Sequence, residues 1–115
     1  MYPEQISNLA VVSTKALRLS LTSYIKSDTT LSFGRIGRGY WVGCNDIENE
    51  GHFIWADGTE VDDQNWEKRQ PNNNNGQHCC QMWQHPKNKP RFKLDDETCS
   101  KKKGYICQIK NGCSE

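Results

Sequence analysis

Long apolar runs are absent from this chain: nothing approaches the ~20 consecutive apolar residues of a membrane-spanning helix. An excess of one charge is missing too. Fifteen Lys and Arg against 14 Asp and Glu leave a net charge of +1. No global field therefore points to nucleic acid or an anionic membrane, and the basic residues do not alternate with aromatics as a strand-binding groove requires. The run Lys101-Lys102-Lys103 reads as a solvated turn. Paired C-x₂-C spacing is lacking, and of His52, His78 and His85 only His78 sits beside cysteines, so a zinc site is not expected. No Asn-x-Ser/Thr sequon occurs, and Met1 runs straight into a polar segment with no signal-like apolar stretch, as a mature or recombinant chain would begin. No Ser/His/Asp or Cys/His arrangement stands out, and Asp95 and Asp96 are adjacent rather than facing each other across a cleft, so an enzyme is not expected.

Phe, Leu, Ile and Val are scarce, at 20 of 115 residues. Such scarcity suggests disorder only when net charge is high. Here charge is near zero and four Trp and six Cys are present, which predicts one compact domain over residues 1–115 whose small core is stiffened by disulfides. Disulfides in turn imply an extracellular, secreted location. Six cysteines allow fifteen pairings, and spacing does not choose among them.

Taken in order, Asn8–Val12 is a short β-branched run that reads as a strand. Ser13 is positioned to cap a helix whose apolar residues Leu17, Leu21, Tyr24 and Ile25 recur at helical spacing. Gly34–Gly39 lacks the Lys-Ser/Thr of a phosphate-binding loop and reads as a turn. Tyr40–Cys44 and Phe53–Trp55 are strands, the second ended by the turn Asp57-Gly58. Asp46-x-Glu48-x-Glu50-Gly51 imitates an EF-hand loop but lacks the closing Glu and helical flanks. Residues 62–90 read as a long polar loop pinned by Trp66 and the double cysteine, Asp95–Cys99 as a turn, and Gly104–Ile109 as the last strand. The sum is an α+β domain.

The stretch from Gln70 to Cys99 is crowded with oxygen donors. Gln70, Asn72 and Gln77 offer amide carbonyls, and Asp95 and Asp96 offer carboxylates. Calcium takes six to eight oxygens and accepts amides as readily as carboxylates, so this is a candidate calcium cradle. A polar surface loop beside an acidic turn is the other reading.

Tyr-Trp-Val-Gly-Cys-Asn-Asp (40–46), Glu-Gly-His-Phe-Ile-Trp-Ala-Asp-Gly (50–58), Asn-Trp (65–66), Gln-Pro-Asn (70–72), His-Cys-Cys-Gln-Met (78–82), Leu-Asp-Asp-Glu-Thr-Cys (94–99) and Gly-Tyr-Ile-Cys-Gln (104–108) follow one another in an order that resembles the C-type lectin-like domain. The resemblance covers residues 9–109 and implies a double-loop α+β fold, abbreviated at its amino terminus and stabilised by disulfides. It implies a Ca²⁺ held by Gln70, Asn72, Gln77, Asp95 and Asp96, with a sugar bound through Gln70, Asn72, Asp95, Asp96 and the ring of Trp83. Gln70–Pro71 would be a cis bond. Cys79–Cys99 is the implied family disulfide, and the doubled cysteine resembles that of antifreeze members, implying Cys44–Cys80. Cys107 loses its usual amino-terminal partner, which leaves Cys113 or another chain. Gln-Pro-Asn is a hybrid of the family's two usual triplets, Leu94 replaces its Trp, and Gln77 stands where it often has Glu.

The function this implies is a calcium-dependent lectin of innate-immunity type, taking galactose-containing or microbial cell-wall glycans, with a homo-oligomer supplying avidity. The competing expectation keeps the fold but binds a protein or other surface without calcium.

Overall fold

The computed structural model describes residues 9–28, 38–72 and 76–107. Their elements run in the order α1 (Lys15–Ser27), β1 (Gly39–Asn45), β2 (Ile54–Trp55), a 3₁₀ turn (Asp63–Asn65), β3 (Cys79–Trp83), β4 (Leu94–Glu97) and β5 (Gly104–Tyr105). The sheet order is β2-β1-β3-β4, antiparallel throughout, with β5 added parallel to β1. This is an α+β architecture.

β1 is the centre of the sheet because its aromatic and β-branched residues suit a surface buried on both faces. Tyr40, Trp41 and Val42 lie opposite Met82, Gln81 and Cys80 of β3, and a bulge between Val42 and Asn45 shifts the register. Gly43 is required there: its amide bonds Ala10 O at 2.9 Å, and a Cβ would stand 2.7 Å from Leu9 O. The amino-terminal run therefore lies against β1, with Leu9 bridged to Cys107 and Ala10 N bonded to Ile106 O.

Alternation divides the buried residues by face. One face carries the main core, including Val42, Cys44, Cys80, Met82 and Leu94 beneath Phe53, Trp55, Trp66, Phe92, Val12 and Ile25 of α1. The other carries a smaller cluster of Leu9, Trp41 and Cys79, flanked by Cys99 and Cys107. Neighbouring cysteines on β3 thus point to opposite faces. Cys80 bonds Cys44 and Cys79 bonds Cys99, one staple per face, across separations of 36 and 20 residues. Loops of that length make each worth about 3–4 kcal/mol in the chain-entropy account. Cys107 is also disulfide-bonded, and Cys113 lies outside the described residues.

Several sequence expectations are corrected. Thr14, not Ser13, caps α1, its hydroxyl accepting Leu17 N at 3.1 Å. The helix does not bury Leu17 and Tyr24, which are 42% and 63% exposed; it buries Arg18, Thr22 and Ile25. The cause is polar. Arg18 Nε donates to Asn65 Oδ1 and its Nη1 to Arg91 O, so the helix rotates to place the guanidinium inside, where burial lowers its pKa against the opposing pull of Glu67. Residues 62–90 are not one loop, because β3 runs through them. Asp95–Glu97, expected as part of a turn, belong to β4, with the turn following at Thr98. Among the described residues of the expected first strand, only Leu9 makes a bridge. Most of the Gly34–Gly39 turn, and the last strand beyond Cys107, fall outside the described residues.

Trp41 is 3% exposed and its indole N–H donates to Lys101 O. Trp41→Ala is expected to cost about 3–5 kcal/mol in chemical denaturation. Leu17→Ser, on the exposed side of α1, should stay within about 0.5 kcal/mol of the parent.

Candidate functional site

The Gln70–Asn72 turn is built from the chain that leaves Trp66. Gln70 N bonds Glu67 O at 2.9 Å, Arg69 takes a left-handed φ of 71°, and the Gln70–Pro71 bond is cis. Proline has no N–H, so Asn72 carries the first backbone donor after the bend. That donor is shared: Asn72 N lies 3.2 Å from Gln70 Oε1 and 3.1 Å from Asp96 Oδ1. Asp96 is fully buried on β4. The turn is therefore docked onto the sheet through one amide hydrogen held between an amide oxygen and a carboxylate.

Asp95 lies elsewhere. Side chains alternate along a strand, so it projects to the opposite face from Asp96. Across the β3–β4 ladder it sits opposite Gln81, whose Nε2 donates to Asp95 Oδ2 at 2.7 Å. Burial pushes the Asp95 carboxyl up to about 7; the Gln81 hydrogen bond opposes this, and Asp96 and Glu97 add to it. Gln81 Oε1 is buried without a hydrogen-bond partner among the described residues.

Gln77 reaches the same end of β4 through a residue the sequence did not single out. Its Nε2 donates to Glu97 Oε1 at 3.2 Å, and its Oε1 is buried with no partner among the described residues. Glu97 also accepts Thr98 N and pairs with Lys101 and Lys103 at 3.3 and 3.9 Å. The available signal was its position next to Asp96. Trp83 is not near this group. It ends β3 opposite Gly39, its ring stacked on His85 at 4.1 Å and 13°. The structure thus brings Gln70, Asn72 and Asp96 together, joins Gln77 to Glu97, the next residue along β4, and leaves Asp95 and Trp83 apart.

Among the described residues, no three His, Cys, Asp or Glu side chains gather as a metal cage. A cation at this turn would depend on amide oxygens for most of its ligands. The donor chemistry suits calcium, and the partnerless Gln77 Oε1 is a free hard oxygen of the required kind. With few carboxylates, a calcium site here would fall toward the weak end of such sites. The acidic loop after β1 does not compete: Asp46 is spent holding Gly51 N and His78 Nδ1, each at 2.8 Å.

The raised Asp95 pKa has a definite sign. Its folded value of about 7 lies above the unfolded 3.8, so the folded state binds the proton more tightly. The group is neutral in both states below the unfolded value. As pH rises toward 7 the unfolded chain gains by ionising first, and stability falls; above 7 the loss is complete. In chelator, Asp95→Asn should therefore gain stability over the parent progressively between about pH 4 and pH 7, then hold a constant advantage, as read by urea denaturation across pH. A gap that narrows with rising pH would contradict the assignment.

With this geometry in view, comparison with known proteins is informative. The profile described as the lectin C-type domain matches residues 4–109. The chain is 30% identical over 104 residues to "Salivary C-type lectin 2" of Aedes albopictus, covering 89% of this chain and 68% of that protein. It is 29% identical to the "Alpha-N-acetylgalactosamine-specific lectin" of Patiria pectinifera, covering 90% of this chain and 56% of that one. It also spans less than half the length of two further curated relatives, at 41% and 43%. Among solved structures, C-type lectin CEL-I from Cucumaria echinata superposes with a TM-score of 0.66 at 26% identity, covering 84% of this chain and 64% of that one. The cow CD23 carbohydrate-recognition domain, solved in the presence of a GlcNAc2Man3 oligosaccharide, gives 0.65 at 27% identity, covering 86% and 66%. No helix among the described residues is long and apolar enough to cross a membrane. On the extent of the profile match and the shared fold, the chain belongs to the C-type lectin domain family.

Proposed function

We propose that this domain is a secreted glycan-binding module whose site is the Gln70–Pro71–Asn72 turn docked on Asp96, working with calcium. The observation that carries the reading is the Asn72 N–H shared between Gln70 Oε1 and Asp96 Oδ1, which holds the triplet against β4. Supporting it, one relative of this chain is named as an alpha-N-acetylgalactosamine-specific lectin, and a structural neighbour was solved with an oligosaccharide present.

In this reading Gln70, Asn72, Gln77 and Asp96 would hold the ion, and Asp95, engaged by Gln81 on the other face of β4, would not reach it as the strand stands. Bound calcium supplies coordination positions for two neighbouring sugar hydroxyls. The chain's own part is to orient those hydroxyls. Amides at 70 and 72 both donate and accept, whereas the Asp96 carboxylate only accepts, so a diol is held between two kinds of partner. The proposed ligands are galactose-containing or microbial cell-wall glycans, bound weakly by each domain and strengthened by a homo-oligomer. Residues 1–115 act as a single domain in this proposal.

A second reading, binding of a protein or other surface without calcium, is favoured by one observation. Asp95 faces away from the turn and is engaged by Gln81, so the site has fewer carboxylates than the sequence suggests.

Calcium titration against melting temperature separates the two. The lectin reading expects a saturable rise that chelator reverses, with binding to immobilised galactose-terminated glycan lost in chelator. Asp96→Ala should abolish the calcium-dependent shift while costing about 1–3 kcal/mol of metal-free stability through the unmade Asn72 bond. Asp96→Asn, which keeps an acceptor, should recover much of that stability but not the calcium response. Chelator-insensitive melting together with chelator-insensitive binding would leave the second reading standing.

A further inference from the structure

The near-zero net charge conceals a segregation along the chain. Residues 45–67 carry eight acidic side chains and no Lys or Arg, whereas residues 68–94 carry six Lys and Arg and no acidic side chain. The sheet turns part of this order in sequence into a separation in space. The acidic loop begins at the carboxyl end of β1, where Asn45 pairs with Cys79 and Cys79 pairs with Glu97 beside the proposed glycan site. At the opposite end of β1, Arg38 and Gly39 meet Trp83 and Gln84. Seven strand residues place the two ends ~20 Å apart, well beyond the ~8 Å screening length at physiological salt.

Backbone bonds gather the basic residues at that far end. Gln84 N bonds Arg38 O at 2.9 Å, and Arg38 Nη2 returns to Gln84 O at 3.3 Å. Trp83 N bonds Lys93 O, and Arg91 N bonds His85 O, closing residues 85–91 into a loop. Nothing in a loop so closed can lie more than ~11 Å from its closing pair, so exposed Lys87 and Lys89 stay near Arg38 and Lys93. Glu67 neutralises one cation of the group, Arg91, through two 3.0 Å bonds; among the described residues no other carboxylate pairs with it. At the foot of the loop the Trp83 ring, stacked on His85, is only half-buried.

We propose that this end of the domain, formed by Arg38, Lys87, Lys89 and Lys93 around the Trp83–His85 stack, is a second binding surface that takes a sulfated polysaccharide. The cations supply a salt-sensitive attraction to sulfate groups, and the indole offers an apolar face to a pyranose ring. The loop tip (Pro86, Lys87, Asn88, Lys89, Pro90) has no large apolar side chain to enter a bilayer. One aromatic pair is also no succession of platforms for stacked bases. The surface needs no metal, so it stands or falls separately from the calcium-dependent reading.

The test uses the full chain on a heparin-coated sensor, with desulfated heparin and phosphatidylserine vesicles as comparison arms. Saturable binding is expected at 50 mM salt, weakening by at least about tenfold at 300 mM and unchanged by chelator. Lys87→Glu/Lys89→Glu, both exposed, should weaken it by at least about tenfold while leaving the melting temperature and any calcium response as in the parent. The proposal is overturned by no binding at low salt, by equal binding of the double variant, by equal binding of desulfated heparin, or by loss of binding in chelator. Tighter binding to the vesicles than to heparin would overturn it in favour of a lipid surface.

Discussion

Successive residues of a strand face opposite ways, and in β3 and β4 that constraint settles both the architecture and the site. Cys79 and Cys80 are neighbours, so one staples the smaller cluster and the other the main core. Asp95 and Asp96 are neighbours too, so one carboxylate is given to Gln81 and the other to the Gln70–Asn72 turn. A one-residue slip of β4 against β3 would exchange the two aspartates and detach the turn. The Cys44–Cys80 and Cys79–Cys99 disulfides each hold β3, Cys80 to the end of β1 and Cys79 to the turn after β4.

Polar groups take an unusual share in holding this small domain. Arg18 is buried between Asn65 and the Arg91 carbonyl, Asp46 ties the acidic loop to His78 and Gly51, and Glu67 holds Arg91. Each removes a desolvation penalty by completing a hydrogen bond, and each specifies one position of a segment with little regular structure. Gln77 Oε1 and Gln81 Oε1 depart from that pattern, lying buried without partners among the described residues. They mark where the chain gives up internal satisfaction, one of them beside the proposed glycan site.

Much of the fold was legible because its landmarks are large, and their order is hard to obtain by chance: the Trp-Val-Gly segment, Asn65-Trp66, the proline triplet and the cysteines. The helix was legible from its apolar period, but its buried face was not. Periodicity counts Leu17 and Tyr24 as core and Arg18 as surface, and it cannot see that Asn65 and the Arg91 carbonyl wait to receive the guanidinium. β3 was hidden by Gln81, a polar residue that looks like loop until Asp95 is placed opposite it. The acidic pair looks like two ligands in the sequence because adjacency along a strand hides the alternation that sends Asp95 to Gln81 and Asp96 to the turn. Glu97 was passed over because it becomes significant only when the ladder sets it beside Cys79 and Gln77. The disulfide pairings likewise came from resemblance, since spacing alone left fifteen.

The proposed calcium-responsive site lies at the Gln70–Asn72 turn against Asp96, not in the acidic loop after β1. Amide nitrogen–hydrogen NMR spectra recorded during a calcium titration address this residue by residue. Saturable shifts of the Asn72, Gln77 and Asp96 resonances, with those of Asn45–Gly51 unmoved, are the predicted result. Shifts confined to the Asn45–Gly51 loop, or none at Asn72, would contradict it.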